Sequence, residues 1–105
     1  MPYRIEFVDA AIVDLRALRT TDQVKVLDRI EDHLTHEPLL QSRSRIKRLR
    51  PGTFPPFRLR VDEFRVYYDV DPPQRRVVVY GVVPKTRSAA WLERSVKDYR
   101  KRGKS

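Results

Sequence analysis

The sequence predicts an α+β fold with an N-terminal strand, an antiparallel helix hairpin, a three-stranded antiparallel meander and a short C-terminal helix. Apolar and polar residues alternate over residues 3–8, as in a half-buried strand. Apolar residues then recur at helical spacing up to residue 34, and three strand-like runs separated by turn sequences follow from residue 57. Because the apolar face of the meander needs cover, we expect the helices to pack on one face of the sheet.

The N-terminal half supplies the helix hairpin. We expect Asp9 to be the N-cap of the first helix, and Thr20 with Gln23 to form a capping box that opens a second helix of about fifteen residues. The second helix ends before Pro38, and the short link between the two helices favours an antiparallel hairpin. The apolar residues expected to face inward are Ala11, Leu15 and Leu18 in the first helix and Val24, Leu27, Ile30 and Leu34 in the second.

The C-terminal half supplies the meander. Its strands are expected at about residues 57–61, 64–71 and 76–83. A two-residue turn at Asp62 and Glu63 joins the first two strands, and residues 71–75 form the second hairpin. Pro84 ends the last strand because proline cannot donate within a ladder, and Ser88 is expected to cap the final helix. The basic tail from about residue 100 is expected to fray.

Length and composition limit the classes of protein to consider. A chain of 105 residues fits one domain, spanning residues 1–105. The absence of cysteine excludes disulfides, thiolate nucleophiles and thiolate metal sites. No apolar run has the length of a membrane span, so we expect a cytoplasmic protein without a membrane role. His33 and His36 have no supporting ligand cluster, so neither a metal nor another cofactor is expected.

The charge is concentrated in the second part of the chain. Residues 1–42 carry five Lys/Arg and eight Asp/Glu, a net charge of −3, whereas residues 43–105 carry eighteen and six, a net charge of +12. Such an imbalance favours a polyanionic partner, with nucleic acid ahead of an acidic protein. One dense basic run, predicted to contact an RNA backbone or else to be a solvated loop, consists of Arg43, Arg45, Lys47, Arg48 and Arg50.

The first hairpin of the meander brings arginines together. Arg58 and Arg60 are two residues apart on a strand and therefore share a face. The two-residue turn places Arg60 opposite Arg65 and Arg58 opposite Tyr67. Because like charges directly opposite each other destabilise a sheet, these side chains are predicted to receive an anion on an open face. A hydrated sheet face that tolerates the arginines is the alternative.

The chain resembles the RelE/ParE superfamily of toxins from bacterial type II toxin–antitoxin modules, and the RelE-like branch in particular. The resemblance rests on the order of the elements and on the segments AAIVDLRAL, VLDRIEDHLTHEP, FRLRVDEFRVYYDVD and VVVYGVVPKTRSAAWL. RelE-like toxins cleave messenger RNA in the ribosomal A site without a metal, which the resemblance implies here. Two alternatives stay open: a ParE-like inhibitor of DNA gyrase without nuclease activity, and a non-enzymatic RNA- or ribosome-binding module.

The resemblance also implies roles for individual residues and partners. The positions that match the family's catalytic residues are Arg58, Arg60, Arg65, Lys85 and Arg87, with Trp91 at the aromatic position. Arginine is a poor general base, so the candidates for proton transfer are Lys85, the phenol of Tyr67 and the ribosome itself. A purely structural or solvated role is the alternative for both residues. Trp91 either stacks on an RNA base, as Tyr67 could, or anchors the last helix. The implied partners are the ribosome, messenger RNA and a cognate acidic antitoxin, the last in a heterotetramer or larger complex.

Overall fold

The computed structural model describes residues 1–103, which form a five-stranded sheet and three helices. The strands are β1 (Arg4–Phe7), β2 (Ile46–Arg48), β3 (Phe57–Val61), β4 (Phe64–Asp71) and β5 (Arg76–Pro84), and the helices are α1 (Asp9–Arg16), α2 (Thr20–Leu34) and α3 (Lys85–Gly103). The strand order is β1-β5-β4-β3-β2, with β1 parallel to β5 and the other pairs antiparallel. The predicted α+β class and the meander are confirmed.

The register of the first hairpin is the predicted one. Arg60 pairs with Arg65 and Arg58 with Tyr67, across a turn in which Asp62 has a positive φ of 49°. On the outer side of β3, the sheet contains β2, a strand that the sequence does not predict. It is only three residues long, and two of them are basic, so it carries almost no periodic signal. Its buried residue, Ile46, completes the core edge.

The core lies between one sheet face and the helices α1 and α2. Ala11 and Leu15 are buried as predicted, and Leu18 packs against the core. In α2 the buried residues are Val26, Ile30 and Leu34. The prediction that Val24 and Leu27 face inward is wrong, because these side chains are 54% and 42% exposed. Val24 and Leu27 lie at helical spacing from Ile30 and Leu34, and so does Val26. The sheet packs against the face that contains Val26, so Val24 and Leu27 stay exposed.

Both helices begin without the predicted caps. Val8 and Arg19 occupy the N-cap positions and make no side-chain capping bond, so Asp9 and Thr20 are the first helical residues instead. The side-chain amide of Gln23 donates to the carbonyl of Leu18 at 2.8 Å rather than closing a capping box. Asp9 still stabilises α1, because a negative charge in the first turn complements the helix dipole.

The C-terminal helix is longer than the sequence predicts. It begins directly after Pro84, so Ser88 does not cap it, and the Ser88 hydroxyl donates to the carbonyl of Lys85 at 2.9 Å within the first turn. It includes residues 100–103 of the predicted frayed tail, whereas residues 104–105 lie outside the described part of the chain. Within residues 1–103, no helix combines the length and the hydropathy needed to cross a membrane.

The second sheet face is not fully open. Helix α3 lies against this face through Trp91, whose ring stacks on Tyr67, while α1 and α2 cover the other face. The expectation of an open face opposite α1 and α2 is therefore wrong around Tyr67. The part of the face toward β2 and the β3–β4 turn stays accessible, since Lys47 and Arg60 are exposed there.

Candidate functional site

Three arginines on β3 and β4 form the centre of the candidate site. We call Arg58, Arg60 and Arg65 the arginine cluster; they lie on the sheet face opposite α1 and α2. Directly opposed residues have Cβ atoms about 5 Å apart, so Arg60 and Arg65 are immediate neighbours. None of the three forms an ion pair with a carboxylate in the part of the chain that the structure describes. The cluster is therefore a concentration of positive charge without a direct ion-pair partner among residues 1–103.

Arg65 is the fixed member of the cluster. Its side chain lies among buried groups, with only 6% of the residue exposed, and its Nη1 donates to the carbonyls of Asp62 and Phe64, both at 2.9 Å. Burial, reinforced by the charges of Arg58 and Arg60, lowers the pKa of Arg65. The turn thus holds a guanidinium where its charge is poorly solvated and repelled by its neighbours. Such a group gains most from a bound anion.

Arg58 supplies an unsatisfied donor. Its Nε is buried and has no hydrogen-bond partner within residues 1–103. A buried donor without a partner costs about 1–3 kcal/mol, which an acceptor on a ligand would recover. The Nε of Arg76 is also unpaired, but the Arg76 guanidinium forms ion pairs with Glu6 and Asp71. The orphaned donor of Arg58 instead lies in a cluster that has no carboxylate partner.

The five basic residues of the run 43–50 are all exposed, but they lie on different sides of the sheet edge. Lys47 pairs with Arg58 across β2 and β3 and so extends the arginine cluster toward the sheet edge. The guanidinium of Arg48 lies 5.0 Å from the ring centroid of Phe57 on the other face. Lys25 chiefly, and Arg45 more weakly, lower the pKa of Asp62, so Arg45 lies toward α2. Lys47 is therefore the member of the run best placed for a ligand at the cluster.

The two basic residues at the start of α3 are exposed, like Lys47. The backbone N–H of Lys85 donates to the carbonyl of Glu63 at 2.7 Å, which fixes the first turn of α3 beside the β3–β4 turn. That same turn binds Arg65, so Lys85 lies next to the cluster. Arg87 is two residues further along the same helix and is exposed as well.

Tyr67 and Trp91 are packed against each other. Their ring centroids are 4.7 Å apart at an interplanar angle of 14°, and Tyr67 is buried. Tyr67 thus lies on the predicted face but beneath α3, where it is not exposed to a base or a substrate hydroxyl. Trp91 anchors α3 through this contact, and its stacking on an RNA base stays a prediction. It also lines a groove of about 530 Å³ beside α3.

The other aromatic residues of this groove are not predicted as site residues by the sequence. They are Phe54, Tyr80 and Tyr99. Phe54 lies in a proline-rich loop with no periodic signal, and Tyr80 lies at the point where the β4–β5 register shifts. Tyr99 shares a helical face with Leu92 and Val96, a pattern that predicts packing and gives no indication of a groove.

Comparison with solved structures shows which protein family the chain belongs to. The chain is similar to a chain of the RelBE2 toxin–antitoxin complex of Mycobacterium tuberculosis, with 30% identity and a TM-score of 0.67, over 80% of this chain and 92% of that one. This chain belongs to the RelE toxin family. No protein-family model and no curated protein sequence matches it.

Two archaeal RelE structures support the fold of this RelE-family chain. The RelE–RelB complex of Pyrococcus horikoshii has 20% identity and a TM-score of 0.60, over 83% of this chain and 99% of that one. The RelB–RelE complex of Methanococcus jannaschii has 15% identity and a TM-score of 0.60, over 82% and 96%. The 30% identical RelBE2 relative supports the RelE-like branch, the two archaeal structures support the fold alone, and the ParE-like alternative receives no support.

Proposed function

We propose that this RelE-family chain is the toxin of a type II toxin–antitoxin pair, and that it cleaves messenger RNA on the ribosome without a metal. The arginine cluster carries the proposal. It combines three guanidinium groups on one face, a buried Arg58 Nε without a partner and an Arg65 fixed by backbone carbonyls. This is an arrangement for holding a phosphate.

The cluster fits the charge that develops during RNA cleavage. The 2′-hydroxyl of the substrate attacks the adjacent phosphorus and forms a phosphorane, whose oxygens carry an extra negative charge. The bond to the 5′-oxygen then breaks and leaves a cyclic phosphate. Guanidinium groups that are already in position stabilise this charge without reorganising. Arg65 meets this requirement best because its two carbonyl contacts fix it before the substrate arrives.

Proton transfer needs other groups. The 2′-hydroxyl must lose a proton and the leaving 5′-oxygen must gain one, and arginine is a poor base for the first step. Tyr67 is buried under Trp91, which removes it from the substrate. Lys85 is exposed beside the turn that holds Arg65, so it is the chain's candidate for proton transfer, with the ribosome as the other source.

An acidic antitoxin is the proposed partner of the basic surface. Residues 43–105 carry a net charge of +12, and the arginine cluster has no acidic partner within the described residues. An acidic segment lying over this surface would neutralise it and exclude RNA. The three similar structures are toxin–antitoxin complexes, which supports such a partner.

Cleavage of a defined message on purified ribosomes tests the proposal. Arg65→Ala removes the fixed guanidinium and is expected to lower the cleavage rate by about 10²–10³-fold. Arg60→Ala is the second variant, because Arg60 is exposed and its loss leaves the core intact. Arg16→Ala, an exposed arginine of α1, is the matched control and should cleave like the wild type.

The outcomes separate the rival functions. Wild-type rates in both cluster variants, with folding confirmed by circular dichroism, would contradict the assignment of the cluster. Translation arrest with intact messages would indicate a ribosome-binding module instead. Inhibition of DNA gyrase by the purified chain, with no messenger cleavage, would indicate a ParE-like activity.

A further inference from the structure

A preformed groove lies between the C-terminal half of α3 and the sheet, away from the arginine cluster. It has a volume of about 530 Å³, within the range of small-molecule sites, which is about 300–1,000 Å³. We call it the aromatic groove, since four of its lining residues are Phe54, Tyr80, Trp91 and Tyr99. Arg94 and Asp98 of α3 are among its polar lining residues.

The rings of the groove are held in place by one another. Phe54 stacks on Tyr99 with ring centroids 4.2 Å apart at 9°, and it meets Tyr80 edge-on at 5.0 Å. The hydroxyl of Ser95 donates to the Phe54 carbonyl at 2.8 Å, which ties the loop to α3. Tyr99 remains 48% exposed, so its ring is both fixed and accessible. A fixed, accessible ring is what a nucleobase needs for stacking.

The surroundings of the groove are positively charged. Residues 93–102 carry five Lys/Arg and two Asp/Glu, a net charge of +3. Arg94 lines the groove itself, whereas Lys97 and Arg100 lie outside it on α3. A positive rim around aromatic rings is the combination that binds single-stranded nucleic acid, with cations on the phosphates and rings on the bases.

Trp91 connects the groove to the arginine cluster. It lines the groove and stacks on Tyr67, which pairs in register with Arg58. From Trp91 to Tyr99, α3 advances by about 12 Å, at 1.5 Å per residue. A single strand that leaves the cluster and crosses Trp91 would therefore enter the groove.

We propose that the aromatic groove binds an unstacked base of the single-stranded RNA whose phosphate occupies the arginine cluster. This inference rests on the proposed function, because it takes RNA as the ligand of the cluster. The base stacks on Tyr99 and its phosphate contacts Arg94. Asp98 at the rim accepts a hydrogen bond from an amino group of the base, as carboxylates do with cytosine. An acidic peptide fits this groove less well, because Asp98 repels it.

Binding of a labelled RNA that cannot be cleaved tests the groove separately from catalysis. The probe is a 2′-O-methyl oligonucleotide, whose blocked hydroxyls prevent the reaction, and the readout is fluorescence anisotropy. Tyr99→Leu keeps an apolar side chain against Phe54 but removes the stacking ring, so binding should weaken by about 5- to 100-fold. Arg94→Gln should weaken binding more than Arg100→Gln, which removes the same charge outside the groove.

An abasic version of the oligonucleotide and a poly-glutamate peptide are the control probes. Tyr99→Leu should leave the binding of both unchanged, since neither offers a base. Equal weakening of abasic and complete RNA, or weakening of poly-glutamate alone, would overturn the inference. If the groove variants bind RNA like the wild type while messenger cleavage persists, the inference fails and the proposed function stands. If the wild type does not cleave messages but its RNA binding depends on Tyr99, the proposed function fails and the inference about the groove stands.

Discussion

Trp91 lies against Gly81 so closely that a Cβ on residue 81 would overlap its indole ring. Gly81 pairs with Tyr67 on the neighbouring strand, and Trp91 stacks on the Tyr67 ring. A glycine on β5 thus creates the depression into which the indole fits. This fit holds α3 against the sheet and covers Tyr67.

Gly81→Ala should therefore loosen α3. Overpacking a well-filled contact costs about 1–3 kcal/mol, which should appear as a lower free energy of unfolding in urea. Trp91 is the chain's single tryptophan, so its fluorescence should shift to longer wavelength as the ring becomes hydrated. Gly103→Ala is the control, because a Cβ there meets no atom within 4 Å. Unchanged emission and stability in Gly81→Ala would show that the contact does not hold the helix.

The face that α2 buries can be tested with two valines. Val26→Ala removes two buried methyl groups and should lower the free energy of unfolding by about 2 kcal/mol. Val24→Ala makes the same chemical change at an exposed position and should stay within about 0.5 kcal/mol of the wild type. Urea unfolding measures both variants. Equal losses would mean that the two valines are equally buried in solution.

Tyr68 should make the fold sensitive to alkaline pH. Burial raises the pKa of Tyr68 above its ordinary value of 10.0, and its hydroxyl donates to the Pro38 carbonyl at 2.7 Å. The stabilising contribution is complete well below pH 10 and declines above it, because the unfolded tyrosine loses its proton while the folded one keeps it. The decline for one group is at most about 1.4 kcal/mol per pH unit.

The measurement is the free energy of unfolding between pH 8 and 11. Tyr68→Phe should be less stable than the wild type at pH 8, by about 1 kcal/mol for the lost hydrogen bond, but its stability should fall less steeply above pH 10. Tyr99→Phe changes an exposed ring and serves as the control. A slope as steep in Tyr68→Phe as in the wild type would assign the alkaline sensitivity to other groups.

Lys47 should contribute to RNA binding through charge. It pairs with Arg58 on the face of the arginine cluster and is exposed. Lys47→Gln should reduce the slope of log affinity against log salt by about 0.7 on a single-stranded oligonucleotide, the value for one lost phosphate contact. Arg16→Gln in α1 should leave the slope unchanged. A salt slope in Lys47→Gln equal to that of the wild type would remove Lys47 from the interface.

The hairpin that carries the arginines could be predicted because its information is local. Alternation fixes which side chains share a face, and the Asp62–Glu63 turn fixes the register. Arg60 opposite Arg65 then follows without knowledge of the rest of the chain. The register that the structure gives is the same.

The packing of α3 on the sheet could not be predicted, because it depends on how the shapes of residues far apart in the sequence fit together. Nothing in the local sequence of Gly81 indicates that an indole ten residues later will occupy the space above it. The buried face of α2 was ambiguous for a similar reason, since two stripes had helical spacing and the sheet decided between them. The sequence thus predicts the register of the arginines correctly and the exposure of the sheet around Tyr67 wrongly.

The arginine cluster also links the stability of the folded chain to the binding of an anion. Repulsion and the unsatisfied Arg58 donor persist in the empty fold and are relieved when an anionic group enters the cluster. A ligand that binds only the folded form stabilises it by about 2.7 kcal/mol at one hundred times its Kd. We therefore expect the chain without an anion at the cluster to have a lower free energy of unfolding than the chain with one bound.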